Sequence, residues 1–202
     1  MNIILFDDPT IRTALLPFTF TRPVACVRVG ILTVAEKWQK YLQGDFSFHT
    51  EEYLSKKFIF SPGNDNLWIN GAVCPDEILT KAVKSLSINQ GLIKDSKVIA
   101  HRTAADELPE VISSAMKEYT LPVTLVDQVW KIFQLNGEQI KADFTLLTKG
   151  RKSNPITDPH TRVYNPTNIF LEEGVDIKAA VLNAENGPIY LGENSHIQEG
   201  AL

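Results

Sequence analysis

The sequence predicts an α/β domain with a mostly parallel, layered sheet, followed by the start of a parallel β-helix. Three observations support this fold class. Short apolar strand patterns alternate with amphipathic helix patterns up to about residue 150, an order typical of layered α/β domains. A polar, proline-containing stretch then runs from residue 151 to residue 168. From residue 169 onward, aliphatic residues recur every six positions between glycines, and a six-residue period indicates a parallel β-helix.

The elements predicted for the first half of the domain are a strand, a helix and two further strands. A strand is predicted from Asn2 to Phe6, because this short apolar, β-branched run ends at Asp-Asp-Pro. A helix is predicted from Val34 to Leu42, where apolar residues recur at helical spacing. Strands are predicted from Lys57 to Phe60 and from Leu67 to Ile69, and an Asn-Gly turn signal ends the second of them.

The second half of the domain is predicted to contain three helices and one pair of strands. Two acidic residues after Pro75 open the first helix, since acidic residues in a first turn complement the helix dipole. Short apolar runs from Gly91 to Ile93 and from Lys97 to Ala100 flank an Asp-Ser turn, which is typical of paired strands. The other helices are predicted from Asp106 to Glu118 and from Leu125 to Phe144. An Asn-Gly pair is expected to interrupt the last helix.

The C-terminal residues carry the six-residue period. Val175 and Val181 are six positions apart, and so are Leu191 and Ile197. Each hexad can supply one flat face with an inward aliphatic residue. Because about three or more repeats are normally needed for stability and the pattern is still running at Leu202, we expect an N-terminal piece of a longer protein. The alternative is a β-rich tail that packs on the first domain.

Composition and charge exclude several classes of function. The 202 residues include 20 basic and 24 acidic side chains without a Lys/Arg-rich run, which argues against nucleic acid or an anionic membrane as partner. No apolar stretch has the roughly 18 to 20 residues that a membrane span requires. Cys26 and Cys74 are far apart, so neither a disulfide framework nor a zinc site is indicated. These features predict a cytoplasmic protein with reduced thiols.

Three arginines in one loop are the first candidates for chemistry. Arg12, Arg22 and Arg28 follow the first predicted strand. Loops at this position lie at the carboxyl edge of an α/β sheet, where ligands usually bind, and the arginine fork matches phosphate oxygens. The alternative is that these arginines pair with carboxylates such as Asp7 and Asp8. The sequence leaves the two interpretations equally open.

Two motifs and the hexad tail carry a resemblance to a known family. The segment from Leu16 to Pro23, LPFTFTRP, resembles the Pro-Leu-Thr-x-Thr-Arg-Pro segment of sugar-1-phosphate nucleotidyltransferases. The segment from Leu67 to Gly71, LWING, is similar to their central strand and turn. With the hexads, the layout resembles a divergent bacterial branch of the bifunctional N-acetylglucosamine-1-phosphate uridylyltransferase and glucosamine-1-phosphate acetyltransferase family. The amino-acid sequences of residues 68–76 and 130–144 also resemble those of this branch.

The resemblance implies a fold, a reaction and partners. It implies a Rossmann-like nucleotidyltransferase domain over residues 1–150, a linker over 151–168 and the first coils of a left-handed β-helix over 169–202. The implied reaction joins a nucleoside triphosphate and a sugar-1-phosphate, of the N-acetylglucosamine-1-phosphate or glucose-1-phosphate class, into a nucleotide sugar and pyrophosphate. The full-length protein would be a homotrimer, and acetyl-CoA would serve only its missing C-terminal part.

Candidate site residues follow from this reaction, in which cations and magnesium ligands are the essential parts. Candidate catalytic residues are Arg12, Arg22 and Arg28. Candidate substrate-binding residues are Thr21, Asn70 and Gly71. Candidate ligands of magnesium are Asp7, Asp8 and Asp76. For Asp76 the stronger interpretation is a helix N-terminal role, and Asp7 and Asp8 are also consistent with a strand-ending turn.

The sequence also departs from the family pattern. Where the family has a glycine-rich loop, residues 6–12 read FDDPTIR, and only Arg12 matches. Val24 stands where a lysine usually follows Arg-Pro, and Ala72 stands where an aspartate usually follows Asn-Gly. These replacements favour an alternative function, a degenerate domain that binds a sugar nucleotide without turnover and has a regulatory or assembly role. A different phosphate-handling fold is a third possibility.

Overall fold

The computed structural model describes residues 1–106 and 116–202. Contacts divide the chain into two compact units, Met1–Gln134 and Leu135–Leu202. The boundaries at residues 150 and 168 remain predictions. No helix in the described ranges is both long enough and apolar enough to cross a membrane.

The first unit is a mixed α/β domain. Its strands are β1 (Asn2–Phe6), β2 (Asp45–His49), β3 (Asn66–Asn70), β4 (Val73–Cys74), β5 (Gln90–Lys94), β6 (Lys97–Thr103), β7 (Met116–Glu118) and β8 (Thr124–Leu125). Its helices are α1 (Pro9–Ala14), α2 (Val34–Tyr41), α3 (Glu77–Lys84) and the beginning of α4 (Val129–Thr148). The predicted fold class is therefore confirmed at the level of an α/β domain.

The central sheet is rich in parallel pairs. Among the described residues, six strands form it in the order β2-β1-β3-β6-β5-β7. β1 is parallel to both β2 and β3, and β5 is parallel to β7. β6 is antiparallel to both of its neighbours, β3 and β5, and the predicted turn at Asp95 and Ser96, both with positive φ, leads directly from β5 into β6. The carboxyl ends of β1, β2 and β3 lie at one edge, where Phe6 pairs with both His49 and Asn70.

Local sequence signals explain the helices that flank this edge. α2 begins with a capping box in which the Thr33 side chain accepts from the Glu36 amide and Glu36 accepts from the Thr33 amide. The Trp38 side chain is fully buried, and its indole N–H donates to the Val73 carbonyl at 2.8 Å. α3 begins at Glu77, one residue after its cap, Asp76. These helices agree with the predictions from residues 34–42 and 75–77.

One strand prediction was wrong. Residues 57–60 form no strand, because the Leu54 carbonyl accepts hydrogen bonds from the amides of both Lys57 and Phe58 and curls the chain. β1 pairs with β3 on one side and with β2 on the other, and β2 was not predicted from the sequence. The segment still contacts β2, since the Phe48 amide donates to the Ile59 carbonyl at 3.0 Å.

The last two helix predictions need correction. Most of the helix predicted from Asp106 to Glu118 lies outside the described residues, and its end, Met116–Glu118, is strand β7. α4 begins at Val129 rather than Leu125 and extends to Thr148. The predicted interruption at Asn136-Gly137 is absent, because both residues lie within the continuous helix.

The second unit consists mainly of short strands that pair in parallel. Its strands are β9 (Arg162–Tyr164), β10 (Ile169–Leu171), β11 (Asp176–Ile177), β12 (Val181–Asn183), β13 (Ile189–Leu191) and β14 (His196–Ile197). Ile169 pairs with Ile189 and Asp176 with His196, 20 positions apart, while Arg162 pairs with Val181, 19 positions apart. Three hexads would give roughly 18 residues a layer, so the turns hold extra residues. The left-handed β-helix remains a prediction.

Aliphatic side chains fill the inside of the second unit. Its buried core consists of Ile169, Leu171, Ile177, Ala180, Leu182 and Ala184. Phe170 and Tyr190, the central residues of β10 and β13, stack with their ring centroids 5.9 Å apart. Beside them, Arg151 forms a two-point ion pair with Glu172 at 2.8 and 2.6 Å. The Tyr190 hydroxyl also donates to Glu172, and the Arg151 guanidinium lies 5.0 Å from the centroid of the Phe170 ring.

Candidate functional site

The candidate site lies at the carboxyl edge of β1, and Arg12 is at its centre. The first turn of α1 is capped by Asp8, and this helix brings the Arg12 side chain back beneath the following loop. The side chain of Arg12 is 7% exposed. Its Nη1 donates to Asp7 Oδ2 at 2.7 Å and to Thr50 Oγ1 at 3.3 Å, and its Nη2 donates to the Tyr53 hydroxyl at 2.8 Å. We call Asp7, Arg12, Thr50 and Tyr53 the Arg12 cluster.

The Arg12 cluster also binds the backbone of the arginine-containing loop. Arg12 donates to the carbonyl of Thr19 at 2.6 Å and to that of Arg22 at 3.3 Å. The Tyr53 hydroxyl donates to the Phe20 carbonyl at 2.8 Å. The Thr19 hydroxyl in turn donates to the Arg12 carbonyl at 2.8 Å. The guanidinium of Arg12 is therefore engaged inside the protein.

Asp7 uses both carboxylate oxygens within this network. Its Oδ2 accepts from Arg12 and, at 2.6 Å, from the Thr50 hydroxyl, while its Oδ1 accepts from the Val24 amide at 2.8 Å. Burial raises the pKa of Asp7, and the hydrogen bonds from Thr50, Val24 and Arg12 oppose that rise. Asp7 thus joins the end of β1 to the turn Val24–Cys26.

The structure separates the three candidate arginines. Arg12 is buried in its cluster, and Arg28 contacts the Ile31 carbonyl and, at 3.5 Å, Glu36. The side chain of Arg22 is exposed and forms no hydrogen bond or ion pair with the described part of the chain. The carboxylate-pairing alternative therefore describes Arg12 and Arg28, and Arg22 is available to an anionic ligand.

The three candidate substrate-binding residues are also separated. Thr21 is exposed next to Arg22. Asn70 is fully buried: its amide nitrogen donates to the Val98 carbonyl at 3.0 Å and its oxygen accepts from the Ala72 amide at 3.0 Å. The Gly71 amide donates to the Phe6 carbonyl at 2.8 Å, and a Cβ there would lie 3.0 Å from the Ala25 amide nitrogen. Asn70 and Gly71 lie at the carboxyl end of β3 beside Phe6, and their substrate contacts remain predictions.

The candidate magnesium ligands have structural partners. The Asp8 Oδ1 accepts from the Thr10 and Ile11 amides and caps α1. The Asp76 Oδ1 caps α3 in the same way, as its helix N-terminal interpretation predicted. Within residues 1–106 and 116–202, no group of three His, Cys, Asp or Glu side chains is placed to hold a metal ion. Together with the occupied oxygens of Asp7, these side chains do not fit a magnesium ion held by the protein alone.

A cavity of about 200 Å³ lies beside the Arg12 cluster. Its charged lining consists of three carboxylates, those of Asp7, Glu51 and Glu52, and one cation, Arg12, which is paired with Asp7 at 2.7 Å and with Glu51 at 3.5 Å. Because the carboxylates outnumber the cation, the exposed Arg22 is the more favourable location for an anion.

Thr50 and Tyr53 are the site residues that sequence reasoning missed. They follow β2, the strand that was not predicted, and Tyr53 is 41 positions from Arg12. Had β2 been recognised as the parallel neighbour of β1, the residues after it would have been placed at the same edge. The aromatic-polar alternation FSFH over residues 46–49 was the available signal.

Comparisons with known proteins assign the domain to a family. A search of curated proteins gave no match. A family model described as sugar nucleotidyl transferase matches residues 3–152, which is most of the chain and includes β1, the arginine-containing loop and the turn after β3. The chain therefore belongs to the sugar nucleotidyl transferase family.

Proposed function

We propose that the first unit transfers a nucleotidyl group from a nucleoside triphosphate to a sugar-1-phosphate and releases pyrophosphate. The acceptor is of the N-acetylglucosamine-1-phosphate or glucose-1-phosphate class. Membership of the sugar nucleotidyl transferase family supports the reaction type. The single observation that carries the proposal is the exposed Arg22, which has no internal partner among the described residues and lies on a loop at the carboxyl edge of β1.

Arg22 fits the demands of this chemistry. An oxygen of the sugar-1-phosphate attacks the α-phosphorus of the triphosphate, the bond to the β-phosphate breaks, and pyrophosphate leaves. The protein must align two anions and neutralise the charge that develops. The Arg22 guanidinium supplies a two-point donor for phosphate oxygens, and the neighbouring Thr21 hydroxyl supplies a further hydrogen bond. Magnesium in this proposal enters as a complex with the triphosphate.

The finer assignment is the bifunctional uridylyltransferase and acetyltransferase branch. The parallel pairing of β10 with β13 and of β11 with β14 supports a left-handed β-helix in the second unit. In this proposal the protein is a cytoplasmic homotrimer, and acetyl-CoA is the cofactor of its acetyltransferase activity.

A second candidate function is binding of a sugar nucleotide without turnover, with a regulatory or assembly role. The observation that favours it is the burial of Val24 and Ala72, the two positions that lack the family's lysine and aspartate. Their exposed fractions are 1% and 0%, so both positions belong to the core here. The capping roles of Asp8 and Asp76 favour it as well.

Pyrophosphate release tests the proposed function. The protein is incubated with magnesium, each nucleoside triphosphate in turn and a panel of sugar-1-phosphates. We expect release with one pair of substrates. We expect Arg22→Ala to reduce the rate about 100-fold or more, because a charge-stabilising donor is lost, with little change in melting temperature. Arg162→Ala, an exposed arginine of β9, is the matched control and should keep full activity.

The same experiment separates the two candidate functions. No release across the panel, combined with binding of a sugar nucleotide that Arg22→Ala abolishes, would identify a binding domain. Full activity in Arg22→Ala would remove Arg22 from the site.

A further inference from the structure

We infer that Tyr53 and Arg12 are positioning residues that fix the loop of residues 19–24 from its inner side, so that Arg22 meets the substrate in one orientation. This inference rests on the proposed function and names residues that act on the same site without touching substrate. It also removes Arg12 from the candidate phosphate ligands.

The backbone of the loop of residues 19–24 forms hydrogen bonds with the Arg12 cluster. The carbonyls of Thr19 and Arg22 accept from Arg12, and the carbonyl of Phe20 accepts from Tyr53. The amide of Val24 donates to Asp7, which is itself bound to Arg12. Four backbone groups within six residues are therefore held by one cluster of side chains. Such a network restricts the loop more than any single contact.

The outer side of this loop carries exposed side chains, whereas its inner side faces the Arg12 guanidinium. The side chains of Phe20, Thr21 and Arg22 are exposed, and Phe20 is 58% exposed. The guanidinium of Arg12 faces inward, where Nη1 has three acceptors and Nη2 has two. A phosphate could reach Arg12 only if these bonds broke and left Asp7 buried and unpaired, which is costly. Arg12 therefore acts through the loop.

Tyr53 links Arg12 to the loop, and a single conservative substitution can remove this link. Tyr53 is 61% exposed, yet its hydroxyl accepts a hydrogen bond from Arg12 and donates one to the Phe20 carbonyl, both at 2.8 Å. The Tyr53 ring also lies under the Arg12 guanidinium, 5.9 Å from ring centroid to Cζ. Phenylalanine at this position keeps the ring and loses only the two hydrogen bonds. The substitution removes little buried surface, so the fold should survive.

Tyr53→Phe tests the inference by two readouts. In amide hydrogen exchange, we expect the loop of residues 19–24 to exchange about three- to tenfold faster, while β1 and β3 are unchanged, because a hydrogen bond of ordinary strength has been removed. In steady-state kinetics, we expect KM for the triphosphate to rise about three- to tenfold with kcat within about twofold. Tyr164→Phe is the matched control, since that exposed hydroxyl has no partner among the described residues.

The outcomes distinguish this inference from the proposed function. Unchanged exchange in the loop of Tyr53→Phe overturns the positioning role, whatever the activity. Faster exchange in a protein whose wild type releases no pyrophosphate supports the positioning role and contradicts the proposed reaction. An unchanged KM beside faster exchange overturns the claim that the loop orientation matters to the substrate. Arg12→Lys, which keeps the charge beside Asp7 and loses the fork, should accelerate exchange in the same loop more strongly.

Discussion

The two units contain the same trio of groups in different surroundings. In the first unit, Arg12 binds Asp7 and the hydroxyl of Tyr53. In the second unit, Arg151 binds Glu172, which also accepts from the hydroxyl of Tyr190. The side chain of Arg12 is 7% exposed, whereas that of Arg151 is 47% exposed. The carboxylate is buried in both units, with a side-chain exposure of 4% for Asp7 and 8% for Glu172, so the two trios differ in the exposure of the arginine.

The comparison shows that the role of each arginine depends on the N–H groups that do not bind its carboxylate. The spare N–H groups of Arg12 reach carbonyls of a loop at the ligand-binding edge. The spare N–H of Arg151 reaches the Leu147 carbonyl at the end of α4 at 3.1 Å, and its guanidinium covers the Phe170 ring. The first trio positions a loop, and the second attaches the end of a helix to a strand.

The largest expected effect is the loss of Arg12. Arg12→Ala should lower the free energy of unfolding of the first unit by about 3 kcal/mol, because it leaves the buried Asp7 and two loop carbonyls, those of Thr19 and Arg22, without their donor. Arg151→Ala should lower stability less, since the Arg151 guanidinium is half-exposed and the buried Glu172 keeps the hydrogen bond from the Tyr190 hydroxyl. Denaturant unfolding followed by fluorescence of the buried Trp38 and Trp68 reports on the first unit, and circular dichroism reports on the whole chain.

A double-mutant cycle is the control for that prediction. Asp7→Asn combined with Arg12→Ala should cost less than the sum of the single substitutions, because no unpaired charge remains. Equal losses of stability in Arg12→Ala and Arg151→Ala would contradict the comparison.

A smaller effect is expected in the titration of Tyr190. Burial, followed by the hydrogen bond to Glu172 and the charge of Glu172, raises the pKa of Tyr190 to about 12. The folded protein therefore holds this proton more tightly than the unfolded chain. The stability that it contributes is present below pH 10 and is lost as the pH rises from 10 to about 12. Burial also raises the pKa of Tyr119, so the test compares the ultraviolet titration of the variant with that of the wild type. Glu172→Gln should lower the pKa of one late-titrating tyrosine, and an unchanged titration curve contradicts the assignment to Tyr190.

The smallest effect is expected from His101. Burial lowers the pKa of His101, and its Nδ1 has no hydrogen-bond partner among the described residues. The unfolded chain binds a proton near pH 6.5 while the folded first unit resists it, so the stability contributed by neutral His101 is full above that value and falls as the pH drops below it. His101→Gln should flatten this dependence in denaturant unfolding. His160→Gln, an exposed position of the second unit, should leave it unchanged; an equal effect of both would locate the proton uptake elsewhere.

The elements with strong local signals were predictable from sequence. β1, α2 and β3 each have their own periodicity and a stop signal, and they lie close to their predicted bounds. β2 was missed because its two aromatic residues alternate with Ser47 and His49, a weak pattern over five residues. Its identity as a strand depends on pairing with β1, which is a non-local contact.

The candidate site was predictable as a location and not in its contacts. The loop of three arginines indicated the carboxyl edge correctly, since the edge follows from the order of strands. Which arginine is free depends on partners distant in sequence, such as Tyr53 for Arg12. The capping alternative for Asp76 succeeded because a helix cap is a local property.

The stacked strands of the second unit match residues 19 or 20 positions apart. In such a stack the rise between layers is set by the spacing of hydrogen-bonded strands, about 4.8 Å, and not by how many residues each layer contains. Tolerance of insertions should therefore be uneven along this unit. A residue added to a turn leaves the rise unchanged, whereas one added within β10 or β13 would turn the inward aliphatic residues outward. Sequence length in this region is thus free to vary at the turns while the strands keep their register.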